Sequence, residues 1–197
     1  MILIGLTGAP GAGKSLAAEY LKRKGAIVIS GDDTGREVLE TYPESLKSLV
    51  KTFGKGILNP DGSLDRKCLG RLVFADSEKL KKLNSIIHPY LLKLLKSKIN
   101  KYRKSASRKL IVVDAALIFE WGIENWFDYI LVVTANRTNR IKRLVNSGLC
   151  RREAENRIGS QIPQSKKAAK ADFIIENNDG KIALRNKVYG LLKKIKS

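Results

Sequence analysis

Eight consecutive residues carry the densest chemical pattern in the sequence. Gly8-Ala9-Pro10-Gly11-Ala12-Gly13-Lys14-Ser15 sets glycines, a lysine and a hydroxyl at the spacing G-x-x-x-x-G-K-[ST]. Gly8, Gly11 and Gly13 allow main-chain conformations that a Cβ would obstruct, so successive N–H groups can close around a polyphosphate at the positive end of a helix. The chemistry then fixes the rest of the pattern: Lys14 reaches the β and γ phosphates of ATP, and the Ser15 hydroxyl ligates Mg²⁺. The expected nucleotide contacts are Gly8, Ala9, Gly11, Ala12, Gly13, Lys14, Ser15 and Leu16, with Arg140 further along the chain. A glycine-rich turn that only joins a strand to a helix is the plainer alternative. Against it stands the context, because Met1 to Thr7 reads as a buried strand and Leu16, Ala17, Tyr20 and Leu21 recur at helical spacing.

Three carboxylates and an arginine-rich stretch are the other candidates. Ala26 to Ile29 reads as a second strand ending at Ser30-Gly31-Asp32-Asp33, and strands of open parallel sheets turn their carboxyl ends toward the ligand crevice. Asp32 and Asp33 face either that crevice or the start of a helix expected near Thr34, which they would cap. Leu110 to Val113 is a third strand ending in Asp114, where an acid can hold magnesium through water or cap a helix. The segment Ala115 to Glu120 follows, apolar but for its one acid. After a fourth strand at Asp128 to Val133, residues 136–160 carry Arg137, Arg140, Arg143, Arg151, Arg152 and Arg157 around Gly148. Arginine forks suit phosphate oxygens, so helix, glycine and helix fit a lid that closes over ATP; a solvated cationic face is the alternative.

The elements needed to hold these groups follow from the pattern. Residues 36–75 alternate short helical patterns with turns at Phe53-Gly54-Lys55-Gly56 and Asn59-Pro60-Asp61-Gly62. Leu80, Leu83, Ile87, Leu91, Leu94 and Lys98 trace a stripe along a long helical region that Pro89 is expected to break, leaving His88 in an extended or capping geometry. A lone histidine of this kind is more often structural than catalytic. Ala171 to Ile175 is the last strand and Lys181 to Ile195 the terminal helix. Strands alternating with helices give a three-layer α/β/α sheet.

Composition sets the outer limits. A chain of 197 residues suits one domain, or one with a small insertion. No apolar run matches a membrane span, and the first residues lack signal-peptide features, so a cytoplasmic protein is expected. Cys68 and Cys150 lie in no paired-ligand pattern and His88 is the single histidine, which argues against a multi-histidine metal centre. The net charge of +19 raises a nucleic-acid hypothesis. Its spread over Lys47, Lys51, Lys79, Lys82, Lys93, Lys96, Lys166, Lys170, Lys193 and Lys194, without a recognition motif, reads instead as a solvated surface that also attracts nucleotides.

Taken in order, these residues resemble the dephospho-coenzyme A kinase family through nearly the whole chain. The succession is Gly5-Leu6-Thr7-Gly8 into the phosphate loop, Val28-Ile29 with Asp32, Phe53-Gly54, Asp61-Gly62, Asp65-Arg66, Val73-Phe74, Leu83-Asn84, His88-Pro89, Leu117 to Glu120, Arg143, Gln161, Ala171-Asp172 and Asn177. The resemblance implies transfer of the ATP γ-phosphoryl group to the ribose 3′-hydroxyl of dephospho-coenzyme A, giving coenzyme A and ADP with Mg²⁺. It implies a single P-loop NTPase domain with a five-stranded parallel core sheet (about 1–33, 109–135 and 161–197), an inserted helical substrate-binding region (about 34–108) and a helical lid (about 136–160). Lys14, Asp32 and Arg143 would be the catalytic groups, with Asp32 orienting or deprotonating the hydroxyl; Asp32, His88, Pro89 and Leu117 would bind the acceptor. Ser15 and, through water, Asp114 would hold the metal. The expected partners are ATP and dephospho-coenzyme A, with no membrane, no specific nucleic acid and a monomer or small homo-oligomer. Three positions depart from the family pattern: Ser30 stands for an acid, Ser147 for a second lid arginine and Ala116 for a proline. The rival functions are a kinase of another small acceptor, such as a nucleoside or nucleotide, and an ATP-regulated nucleic-acid-binding protein.

Overall fold

β-branched and leucine-rich runs form the sheet in the computed structural model, which describes residues 1–74, 76–105 and 110–196. Among these, β1 (Ile2–Gly8), β2 (Ile27–Ser30), β3 (Leu110–Asp114), β4 (Tyr129–Thr134) and β5 (Phe173–Glu176) pair in parallel in the order β2-β3-β1-β4-β5. Arg108 and Lys109, which precede β3 in sequence, lie outside the described residues. Parallel neighbours need crossovers, and the helices that supply them cover the sheet; hence Leu3, Ile4, Leu6, Val112, Leu131 and Val133 are sealed from solvent.

The helices are α1 (Lys14–Arg23), α2 (Gly31–Thr41), α3 (Pro43–Phe53), α4 (Arg66–Phe74), α5 (Ser77–Ser105), α6 (Arg137–Asn146), α7 (Arg151–Gly159), α8 (Gln164–Ala168) and α9 (Lys181–Lys196). The chain divides into two compact units, residues 1–30 with 101–197 and residues 31–100. In the first, Ala17, Ala18, Tyr20 and Leu21 of α1 and Leu184, Val188, Leu191 and Leu192 of α9 pack with β1, β3 and β4 residues. Burying each leucine or valine contributes about 1.5–3 kcal/mol. In the second, Leu49, Ile57, Leu69 and Val73 form a separate core lined by Leu80, Leu83, Ile86 and Ile87.

Two sequence expectations are corrected here. The helix after β2 begins at Gly31, not near Thr34, so Asp32 and Asp33 sit in its first turn instead of in a strand-end loop. Carboxylates there meet the positive end of the helix, which favours helical backbone one residue after the strand. Second, Pro89 does not break the long helix: α5 runs unbroken from Ser77 to Ser105 with Pro89 inside it. A proline in a helix interior costs about 3 kcal/mol. Leu91, Leu95 and Ile99, at successive four-residue steps, are buried, and each offsets that cost by about 1.5–3 kcal/mol. The buried stripe therefore passes through Leu95 and Ile99 where the sequence pattern had favoured Leu94 and Lys98. His88 is helical and half-buried, not extended.

Burial also pushes the His88 imidazole below its ordinary value of 6.5. The unfolded chain takes up a proton that the folded chain refuses, so stability falls as pH drops through 6.5 and levels off below the depressed folded value. Urea midpoints measured on either side of 6.5 should show this acid loss, and His88→Gln should flatten it.

Candidate active site

The carboxyl ends of the strands in the first unit gather the candidate nucleotide-binding residues. β1 ends at Gly8, beside Val133 of β4, and a Cβ on Gly8 would lie 2.4 Å from the Val133 carbonyl oxygen. Gly8→Ala must therefore push β1 and β4 away from each other against their ladder of hydrogen bonds. It is expected to cost about 1–3 kcal/mol, as overpacking does, read as a drop in Tm of ~2–4 °C per kcal/mol.

Beyond Gly8 the loop turns on Gly11 at φ 76° and Gly13 at φ 99°, both in the left-handed region that favours glycine. Gly13 leads into α1 with no side-chain cap and no acid in the first turn. The first helical N–H groups have no partners within the helix, which is what an incoming anion requires.

Lys14 forms an ion pair and hydrogen bond with the Asp114 carboxylate at the end of β3, and both side chains are mostly buried. Two strands bring them together: Asp114 lies in register with Leu6 of β1 and with Ser30 of β2. Ser15 is exposed at the start of α1. Among the described residues no cluster of three or more His, Cys, Asp or Glu side chains could hold a metal ion. A hydroxyl and a carboxylate at one strand edge fit a hard, oxygen-loving ion that takes its remaining ligands from phosphate and water.

α6 lies on the loop from outside. Its cap is Asn136, whose side chain accepts from the Asn139 N–H at 2.7 Å. The Gly11 main chain passes so close to α6 that a Cβ would lie 2.5 Å from the Arg140 carbonyl oxygen. Arg140 itself is buried, and its Nε has no hydrogen-bond partner among the described residues. Burial, and then the neighbouring charge of Arg137, pushes its guanidinium below the ordinary arginine value. Arg143 makes three hydrogen bonds to main-chain carbonyls: Nη1 donates to those of Gly11 at 3.2 Å and Ala12 at 3.1 Å, and Nη2 to that of Asn177 at 2.8 Å. Ser147, where the family pattern has an arginine, closes α6 by donating its hydroxyl to the Leu144 carbonyl at 2.7 Å.

After Gly148, at φ 101°, Cys150 caps α7 in a reciprocal arrangement with Glu153, and those bonds to Cys150 hold the Glu153 carboxyl below its ordinary range. Arg151, Arg152 and Arg157 on α7 are exposed.

The acceptor-side candidates are divided. Leu117 follows β3 in the first unit and is half-buried, whereas Asp32, His88 and Pro89 belong to the second. Asp32 is exposed in the first turn of α2, two residues beyond the end of β2. Its neighbour Asp33 pairs with Arg36 at 3.3 Å.

Several polar groups at this edge escape sequence reasoning. Lys167 of α8 is fully buried, donating to the Ala116 carbonyl at 2.6 Å and the Gln161 side chain at 3.2 Å and pairing with Glu120 at 2.9 Å. Nothing distinguishes it in sequence from the exposed Lys166 beside it. Gln164, the first residue of α8, holds the residue after β4, accepting from the Ala135 N–H at 3.0 Å and donating to its carbonyl at 3.1 Å. Asn177 donates to the Ala12 carbonyl at 2.8 Å. The family-like Ala-Asp at 171–172 and Asn177 are the only sequence signal for that contact.

A strand order of this kind, with a lysine-bearing amide loop after the central strand, defines a P-loop kinase of small molecules. The comparisons narrow the class. The sequence profile of the dephospho-CoA kinase family matches residues 2–183. Dephospho-CoA kinase from Geobacter sulfurreducens is 40% identical over 179 residues, spanning 90% of each chain. That from Shouchella clausii is 36% identical over 192 residues, spanning 97% of each. Among solved structures, a Thermus thermophilus protein superposes with a TM-score of 0.79 at 32% identity, over 98% of this chain and 97% of that one. Dephospho-CoA kinase from Campylobacter jejuni superposes with a TM-score of 0.72 at 27% identity, over 98% and 96%. Shikimate kinase from Bacteroides thetaiotaomicron shares the fold alone, at 13% identity and a TM-score of 0.54 over 100% and 99%. The chain belongs to the dephospho-CoA kinase family.

Proposed function

We propose that this enzyme transfers the γ-phosphoryl group of ATP to the ribose 3′-hydroxyl of dephospho-coenzyme A, giving coenzyme A and ADP in the last step of coenzyme A synthesis. The observation that carries the reading is the family match through residues 2–183, in a chain whose phosphate loop directs an uncapped helix start and a lysine to one edge of the sheet. Phosphoryl transfer asks mainly for positioning and charge stabilisation. The loop amides bind the phosphates, and Lys14 leaves Asp114 to reach the β and γ groups. Arg140, buried beside the loop with its Nε unpartnered among the described residues, is the lid cation best placed to serve where Ser147 replaces an arginine. Asp32 orients the acceptor hydroxyl and takes its proton as the new oxygen–phosphorus bond forms and the bond to ADP breaks. His88, Pro89 and Leu117 contact the acceptor.

Ser15 directly, and Asp114 through water, are the groups that would hold magnesium. The ion supplies screening of charge on the β and γ oxygens. No helix of the described residues is long and apolar enough to cross a membrane, and both cysteines are free. Those features support a cytoplasmic enzyme with reduced thiols.

Turnover of ATP with dephospho-coenzyme A, beside a panel of nucleosides and nucleoside monophosphates, tests the reading. Preference for dephospho-coenzyme A is expected. Turnover confined to the nucleosides or nucleotides would assign the site to another small acceptor. Saturable nucleic-acid binding at physiological salt, with no small acceptor phosphorylated, would replace the kinase reading.

A further inference from the structure

The phosphate loop is held in shape from behind by a carboxamide that the proposed chemistry does not use. Asn177, the first residue after β5, is buried, and its N–H extends the ladder by donating to the Thr134 carbonyl at 2.8 Å. Its Nδ2 donates to the Ala12 carbonyl at 2.8 Å, and its own carbonyl accepts from Arg143 Nη2 at 2.8 Å. Arg143 Nη1 reaches the same Ala12 carbonyl at 3.1 Å. With two lone pairs and two donors, that oxygen is saturated. The carboxamide occupies the space that a side chain on Gly13 would fill, since a Cβ there would lie 2.2 Å from Asn177 Nδ2.

A trans peptide is planar, so its carbonyl and N–H point to opposite sides. No cis bond occurs among the described residues. The Ala12 oxygen is drawn toward Asn177 and Arg143, so the Gly13 N–H points away from them. We infer that Asn177, acting with Arg143, is a positioning residue that locks the Ala12–Gly13 peptide in its phosphate-facing orientation and so sets affinity for the β-phosphate. Arg143 is accordingly a positioning residue as well as a lid cation. Asn178 extends the brace to α6, its side chain accepting from the Asn136 N–H at 2.9 Å.

The inference rests on the reading of the loop as a nucleotide site, not on the identity of the acceptor. Its test is the affinity of the whole protein for ADP and AMP, measured by calorimetry for the native chain, Asn177→Asp and Asn177→Ala. In Asn177→Asp the donor becomes an acceptor facing a carbonyl, and the peptide should turn. ADP affinity is expected to fall about tenfold or more, the loss of a buried hydrogen bond with a carboxylate set against the carbonyl it held. AMP affinity should change less than about twofold, because AMP has no β-phosphate. Asn177→Ala, which introduces no repulsion and leaves Arg143 in place, should move ADP in the same direction by less; it decides the matter if the aspartate variant does not fold. Equal weakening of ADP and AMP, or unchanged ADP affinity in either variant, overturns the inference. If the native chain binds neither nucleotide, the loop reading falls first and takes this one with it. Native ADP binding with no turnover of dephospho-coenzyme A would instead overturn the acceptor assignment and leave the positioning role to the same calorimetric result.

Discussion

Lys14→Ala is expected to lower kcat by about 10²–10³-fold, the scale on which removing one preorganised charge from a transition state acts. The loss has two sources. The first is the missing cation at the β and γ phosphates, where negative charge shifts as the phosphoryl group leaves. The second comes from Asp114. In the structure Lys14 faces that carboxylate at 14% and 12% side-chain exposure. Removing the lysine leaves a mostly buried, unpaired anion beside the proposed site of a polyanion, and nucleotide affinity should fall as well. The two can be separated. Asp114→Asn added to Lys14→Ala removes the repulsion without restoring the cation, so the double variant should regain ADP affinity while kcat stays low. Steady-state kinetics, with calorimetry of ADP in the absence of magnesium so that the metal role of Asp114 does not enter, reads both quantities on the two variants. If the double variant binds ADP no better than Lys14→Ala, the ion pair is only structural.

Asp32→Asn is expected to lower kcat by about 10²–10⁴-fold, the range for losing a general base, with the KM for ATP nearly unchanged. The selectivity follows from placement. The loop proposed to bind the nucleotide lies between β1 and α1, whereas Asp32 sits apart from it in the first turn of α2. Asp33 is no ready substitute, because its carboxylate already pairs with Arg36. Asp33→Asn should therefore cost less than about threefold in kcat, within the small energies of exposed pairs. A result with the two aspartates reversed would move the base to Asp33. Near-normal turnover in both variants would show that the hydroxyl is positioned by groups other than these.

Sequence reading did well where local pattern and fold demand the same residues. The phosphate loop needs glycines that nothing else explains, and the apolar runs at Ile2, Leu110 and Tyr129 make strands wherever parallel neighbours cover both faces. It failed where tertiary packing overrode local preference. Pro89 is a breaker by its own chemistry, yet the buried Leu91, Leu95 and Ile99 after it, with the partly buried Leu80, Leu83, Ile86 and Ile87 before it, outweigh that preference. Asp32 and Asp33 carry cap and crevice signals at once, and only the observed start of α2 at Gly31 places them in a helical turn. α8 is too short for its period to register, at five residues. The buried cation Lys167 is invisible because its partners Glu120, Ala116 and Gln161 are distant in sequence. Asn177 fell within the family-like succession, but its contact with Ala12, 165 residues away, is a property of the folded edge alone.

The most direct measurement supplies ATP labelled at the γ-phosphorus with dephospho-coenzyme A and locates the label in the product. The account predicts stoichiometric label on the ribose 3′-oxygen of coenzyme A, released by a 3′-specific phosphatase, with one ADP formed per transfer. Label appearing only as free phosphate, or on any other oxygen of the acceptor, would contradict it.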